Sequence, residues 1–235
     1  MDPRYNQLLA ALPDAEWARW RADLEPVTLA YGQVLFESGS TPGSVLFPTS
    51  AVVSLSYMTR DGASAEFAVV GNEGLVGISL ILGGNAMPSR ALVQNAGQGW
   101  RLSGTAIKAA VERGGAVLNL LLRYAQSLIV QTTTTAVCNR HHSIAQQFSR
   151  RLLMGLDRSQ SDELVMTQEA VANLLGVRRE GVTAAAQALQ HAGMIRYRRG
   201  HIEVLDRRGL EGRACECYAV SKREYQRLVP MPQAA

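Results

Sequence analysis

The chain has 235 residues, 47% hydrophobic and 19% charged, with a net charge of +4. That composition supports packed cores and excludes a disordered chain. No apolar run approaches the roughly 18 to 20 residues of a membrane-spanning helix, and the opening MDPRYNQLLAALPDAEW lacks a basic, apolar, cleavable signal pattern. A cytoplasmic protein without a membrane partner is expected. Three cysteines, Cys138, Cys215 and Cys217, argue by their odd number against a secreted disulfide framework, so reduced thiols are the default reading. Charge is uneven along the chain. Residues 1–100 hold five Lys and Arg against nine Asp and Glu, and the remainder holds 19 against 11. A cationic C-terminal part suits an anionic partner, of which nucleic acid is the commonest.

Up to about residue 24, Leu8, Leu9, Leu12, Trp17 and Trp20 fall at helical spacing around a Pro13-Asp14 break, which predicts a short helical preface. From Val27 to about Leu102 the period becomes two, as in Val27, Leu29, Tyr31 and in Val53, Leu55, Tyr57. Asp61-Gly62 stands between two such runs and suits a tight hairpin. Frequent glycines punctuate the short strands of an antiparallel barrel or jelly roll. With the preface, this makes a first unit over residues 1–114.

After Gly114-Gly115 the period turns helical. Leu118, Leu121, Ala125, Leu128, Thr132 and Thr135 step by three and four and form a seam expected to face a second copy. A helix from about Ala116 to Cys138 is roughly 34 Å long at 1.5 Å per residue, too long for one small β-domain to cover. Packing along the chain's own β-domain is the alternative. Thr132 to Thr135 are four poor helix formers in a row, lining a polar spot or marking strain. The dimerisation helix and a connecting helix occupy residues 115–160.

Residues 161–235 form the third unit. Thr167 caps a helix with Val171, Leu174 and Leu175 inward, Gly176 breaks it, and a second helix runs from about Arg178 to Ala192. The pair reads as a helix-turn-helix. GMIRYRRGHIEVLD then alternates about Arg199-Gly200 and reads as a β-hairpin wing. In such a module the second helix enters the major groove of double-stranded DNA. Arginine there reads guanine and a carboxylate reads cytosine, so Arg178, Arg179, Glu180 and Thr183 are the expected base-reading residues. Thr167, Gln168, Gln187, Arg196, Arg198, Arg199 and His201 are expected at phosphates, which fix register. Gly181, Ala184 and Ala188 are expected to permit close approach to the groove.

This order of parts, with the string GVRREGV and with SIAQQFSRRLL at residues 143–153, resembles the Crp-Fnr superfamily of bacterial transcription regulators from about Val27 to Tyr218. The resemblance implies an α+β fold: a cyclic-nucleotide-binding-like β-roll, a long dimerisation helix and a C-terminal winged helix-turn-helix. It further implies a homodimer on a pseudo-palindromic operator, contact with or obstruction of RNA polymerase, and an effector in the roll. Arg179 and Glu180 fall on the family's base-reading positions, whereas Ala184 replaces an arginine usual one turn later. Cyclic-nucleotide-binding members carry Gly-Glu-Leu-Gly and then Arg-Ser. This chain has Gly74-Leu75-Val76-Gly77 and Ser89-Arg90. Leucine cannot accept the ribose hydrogen bond, and burying that hydroxyl unpaired costs roughly 1–3 kcal/mol. Loss of cAMP binding is therefore expected, with Gly74, Leu75, Gly77, Ser89, Arg90 and Thr132 as the effector-pocket candidates and the effector unknown.

Two alternatives keep the same fold: a cyclic-nucleotide-responsive regulator, or a ligand-binding module that signals through protein contacts. No cofactor is expected. An iron-sulfur sensor needs about four thiolates, several in the N-terminal region, and no cysteine precedes Cys138. Cys138, His141 and His142 with Cys215-Glu216-Cys217 have poor spacing for zinc, so no metal is expected either. Nucleophile-elbow, phosphate-loop and His-Glu-x-x-His patterns are missing, and no enzyme activity is expected.

Overall fold

A computed structural model describes residues 1–159 and 163–229. The expected boundary at 160–161 and the last residues of the C-terminal tail lie outside the described residues. A 3-10 turn (Pro3–Tyr5) leads into helices α1 (Gln7–Ala10) and α2 (Asp14–Trp20). Asn6, fully buried, ties this preface to the β-domain: its Oδ1 accepts from Leu8 N and Leu9 N, and its Nδ2 donates to Pro48 O at 2.9 Å and Gly74 O at 2.8 Å. An N-cap side chain thereby satisfies helix donors and fixes where the helix sits.

The period-two region folds as two antiparallel sheets. Strands β1 (Glu25–Leu29), β2 (Val34–Phe36), β3 (Ser44–Pro48), β4 (Val52–Met58), β5 (Ser64–Val70), β6 (Arg90–Asn95) and β7 (Gly97–Ser103) pair in the orders β1-β7-β3 and β2-β6-β4-β5. Helix α3 (Ser79–Leu82) lies in the β5–β6 connection. Phe47, Val53, Val70, Leu75 and Leu102 share one core with Leu8, Leu9 and Trp20. At Gly97 a Cβ would fall 2.4 Å from Ala51 N, so a side chain there would break the closure of the roll. The β4–β5 turn is a five-residue loop closed by Thr59 N to Ala63 O at 2.8 Å, with Gly62 alone at positive φ, and not the two-residue hairpin that Asp61-Gly62 suggests.

Helix α4 (Gly104–Arg113) is followed by α5 (Gly115–His141), 27 residues and roughly 40 Å long. The threonine run holds its helix by back-bonding: Thr132, Thr133, Thr134 and Thr135 each donate to the carbonyl four residues earlier at 2.8–2.9 Å. The seam residues must be corrected. Leu121, Ala125, Leu128 and Thr135 are buried within the chain itself, and Leu118 and Thr132 are half-buried. Leu121, Ala125 and Leu128 join the roll's apolar core, and β5 and a C-terminal helix, α10 (Glu216–Leu228), pack along α5. The apolar side chains left exposed on α5 are Leu122, Ile129 and Val137, at 45%, 64% and 48%.

After a Ser143/Gln146 capping box comes α6 (Ile144–Arg158), then strand β8 (Glu163–Val165), helices α7 (Gln168–Leu175) and α8 (Arg179–His191), strands β9 (Ile195–Arg198) and β10 (His201–Val204), and helix α9 (Arg207–Arg213). Helix α6 joins the halves. Arg151, with 4% of its side chain exposed, sets Nε 2.6 Å from Glu66 Oε1 on β5 and also hydrogen-bonds Gln94 on β6. One helical stretch further, Arg158 Nε lies 2.6 Å from Glu73 Oε1 and donates to Val69 O at 3.2 Å. Val52 and Val69 of the roll therefore belong to the apolar cluster of the C-terminal half, with Phe148, Leu152 and Val171.

A buried charge left without its partner is far costlier than the pair itself is stabilising. Arg151→Met should thus lower stability by about 3–5 kcal/mol in urea unfolding, and the double change with Glu66→Leu should recover much of that loss.

Candidate nucleic-acid interface

The helix-turn-helix forms because Val171, Leu174 and Leu175 on α7 and Val182, Ala185 and Leu189 on α8 close over Phe148 and Leu152 of α6. Between the two helices Gly176 takes φ 65°, ψ 35°, the left-handed conformation that ends a helix at little cost only for glycine. Val177 N returns to Ala172 O at 3.0 Å, and the chain re-enters helix with Arg178 as N-cap. Arg178, Arg179 and Glu180 are all exposed at this N-terminal turn.

The other predicted residues fall into different settings. Thr183 lies one turn in, its hydroxyl 2.8 Å from Gln168 Oε1 and 3.1 Å from Arg179 O, so it ties α8 to the start of α7. Thr167 caps α7 by accepting from Ala170 N at 3.1 Å, and Gln187 is exposed on α8. Gly181 needs correction: its Cβ would meet Ile144 Cδ1 at 2.5 Å, so its smallness serves packing on α6, while Ala184 and Ala188 are the exposed small positions. Sequence spacing alone does not reveal this, because Ile144 lies on a separate helix.

The wing is a type I′ hairpin, with Arg199 at φ 48° and Gly200 at φ 84°, and β10 also pairs with β8, a strand the sequence pattern does not reveal. Its three residues leave little room for a period-two signal. Arg198 and Arg199 are exposed. Arg196 is paired with Glu203 at 2.6 Å and His201 lies 2.5 Å from Glu163, so each already has a carboxylate beside it. Tyr197 packs the wing down by donating its hydroxyl to Met166 O at 2.7 Å. Burial pushes its phenol up to about 12 against the pull of the nearby Arg179 charge.

In the roll, the six effector-pocket candidates do not converge. Gly74 lies under the Tyr124 ring, where a Cβ would be 2.4 Å from the hydroxyl, and that hydroxyl donates to Leu75 O at 3.0 Å. The Leu75 side chain is 1% exposed, in the core. Gly77 and Ser89 line a cavity of about 30 Å³, Arg90 lines a different one and faces Glu37 at 3.5 Å, and Thr132 is on α5, back-bonded to Leu128. A roomier cavity of about 300 Å³ lies between α5, α6 and α10, with Tyr124, Asp157, Arg158, Lys222 and Tyr225 in its wall.

Residues 146–213, from α6 to the end of α9, match the family description of the Crp-like helix-turn-helix domain. This part of the chain is a Crp-like helix-turn-helix domain. The chain as a whole has the Crp/Fnr transcription-regulator fold. FixK2 from Bradyrhizobium japonicum is similar over 82% of this chain and 98% of its own, with a TM-score of 0.68 at 13% identity. A CRP-family transcriptional regulator from Thermus thermophilus is similar over 80% and 96%, at 0.64 and 16%. The c-di-GMP responsive global regulator CLP of Xanthomonas campestris is similar over 83% and 100%, at 0.58 and 15%. No curated protein matches by sequence. No helix of the described residues is long and apolar enough to cross a membrane.

The Crp-like domain depends on Gly176 for backbone conformation rather than for space, since the nearest atom to a Cβ there is Ala65 Cβ at 3.5 Å. Gly176→Ala should therefore cost roughly 1–2 kcal/mol of stability in urea titration, with Gly176→Asn costing less.

Proposed function

We propose that the chain acts in the cytoplasm as a homodimeric transcription regulator that reads a near-palindromic DNA site without cAMP. The observation that carries the reading is the outward display of Arg178, Arg179 and Glu180 on the first turn of α8. Arg179 and Glu180 are the side chains that discriminate guanine and cytosine in the major groove. Arg198 and Arg199 on the wing and Gln187 on α8 supply contacts to the phosphate backbone, as does the α7 start at Thr167 and Gln168.

Two copies join through the outer face of α5. Leu122, Ile129 and Val137 recur at seven and eight residues, a stripe of two-turn period left open to solvent in the single chain. The two recognition helices then enter successive major grooves roughly 34 Å apart. Transcription changes by contact with, or obstruction of, RNA polymerase. Absence of cAMP control is supported by three facts: Leu75 replaces a carboxylate and is buried in the core, the Gly77–Ser89 cavity has room for about one water, and Arg90 faces Glu37.

Selection of a random duplex pool by the purified protein, without added effector, should enrich an inverted repeat with half-sites about one helical turn apart. No enrichment would overturn effector-free reading. On the recovered operator, Arg179→Ala should cost about 1–3 kcal/mol and relax one base position. Arg198→Ala should weaken all sequences alike and reduce the salt slope by about one. Equal losses on operator and random DNA for both variants would contradict the separate roles. Ile129→Glu should shift the sedimentation coefficient of the protein to that of a monomer, while Leu121, which faces inward, should report on stability instead.

A further inference from the structure

Four potential ligands that are scattered in sequence meet at one place in the fold. Cys138 is on the last turn of α5, His142 is its C-cap residue, Cys215 is the N-cap residue of α10 and Cys217 lies in that helix's first turn. Their donor atoms all lie within 4.8 Å of one another. Cys138 Sγ is 3.4 Å from Cys215 Sγ, and Cys217 Sγ is 3.7 Å from His142 Nδ1. For tetrahedral zinc with Zn–S near 2.3 Å, ligand atoms stand roughly 3.8 Å apart, so no pair need close by more than about 1 Å for the four to enclose one ion. The three thiols are at most 4% exposed and form a buried cluster of their own.

The surroundings are those of a metal-holding histidine. His142 turns Nδ1 to the sulfurs and Nε2 to the Glu216 carboxylate, 3.4 Å away, which is how a carboxylate orients a ligating imidazole from behind. The Cys217 backbone N–H is directed at Cys215 Sγ, a donor suited to a thiolate at a helix N-terminus. Arg150, 5% exposed, bears electrostatically on Cys138 and Cys217, and its Nε has no hydrogen-bond partner among the described residues. Three thiolates, a neutral imidazole and Zn²⁺ sum to one negative charge, and Arg150 neutralises it.

We propose that Cys138, His142, Cys215 and Cys217 form a closed, mononuclear zinc site that clamps the junction of α5 and α6 to the start of α10. Three soft thiolates and one imidazole suit zinc, and with all four positions taken by protein the site is structural. On binding, the three thiols release their protons to solvent and no bond is oxidised or reduced. Ligation closes a loop of 77 residues, from Cys138 to Cys215, that contains the whole helix-turn-helix and wing. The metal thus fixes the base of the DNA-binding unit on the long helix.

The full chain, purified without chelators or metal-affinity resin, should carry close to one zinc per chain by elemental analysis. After zinc is removed under reducing conditions, one equivalent of Co²⁺ should give the visible bands of tetrahedral cobalt with thiolate-to-cobalt absorption in the near ultraviolet, and Zn²⁺ should abolish both. His142→Cys should retain the metal and strengthen the thiolate absorption, and Cys215→Ser should lose tight binding. These spectra and the alkylation of the three thiols, slowed at least tenfold by zinc, are read on the unmutated protein, so a variant that fails to fold does not decide the matter. The proposal is overturned if the folded, reduced chain leaves all three thiols equally reactive with and without zinc. It is overturned equally if cobalt binds only with weak octahedral bands that Cys215→Ser leaves unchanged, the mark of an adventitious ion only. A Cys138–Cys215 disulfide in the freshly isolated protein would also overturn it.

Discussion

Helix α6 sets the relation between the two halves of the molecule by means of buried charge. Arg151 against Glu66 and Gln94, and Arg158 against Glu73 and Val69 O, are tied to the roll at two points along one helix, and two such points leave it neither slide nor roll. Apolar packing alone tolerates small slips at modest cost, whereas displacing a buried guanidinium from its carboxylate leaves both charges in low dielectric. Burial pushes the Arg151 pKa down, with the Glu66 charge working the other way. The attitude of α8 relative to the roll is a result of these two ties, since α7 and α8 are packed on α6.

The long helix serves two surfaces. Its inner face, from Val117 through Tyr124 to Thr135, is filled by β5, α10 and the buried Arg150, while Leu122, Ile129 and Val137 face away. Residues 132–135 show why a poor helix-forming sequence survives there: each hydroxyl satisfies a carbonyl of its own helix, and Thr135 also accepts from Arg150 Nη2 at 2.8 Å. The run is a polar seat inside the chain as well as a stretch of helix.

Much of the fold is legible in the sequence. The change of period at Gly115, the glycine turn at 176 and the Arg199-Gly200 hairpin are local features, set by backbone conformation within a few residues, and each appears where the pattern puts it. The site residues on the first turn of α8 are exposed for the same local reason. What the pattern misplaces is non-local. A helix with apolar residues on two faces gives a stepping pattern on both, and nothing in the pattern tells which face is covered by its own chain, so it puts Leu121 and Leu128 on the wrong surface. Gly181 looks like a surface residue because Ile144, whose side chain it must clear, is on another helix. The cysteines are the extreme case. Spacing rules for zinc describe ligands brought by one or two turns, and 77 residues separate Cys138 from Cys215 while the fold sets them 3.4 Å apart.

The placement of α10 bears on how the chain can be made. Tyr225 donates its hydroxyl to Glu73 O at 2.7 Å across 152 residues of sequence, and Leu228 and Val229 sit in the same apolar core as Leu8, Phe47 and Leu102. The roll, synthesised first, is therefore left with a gap in its core until the last helix arrives. Such distant closure is entropically expensive and slow, and in the interval the inner face of α5 is bare. A chain lacking α10 would therefore leave the core of the first domain open where Leu228 and Val229 now sit.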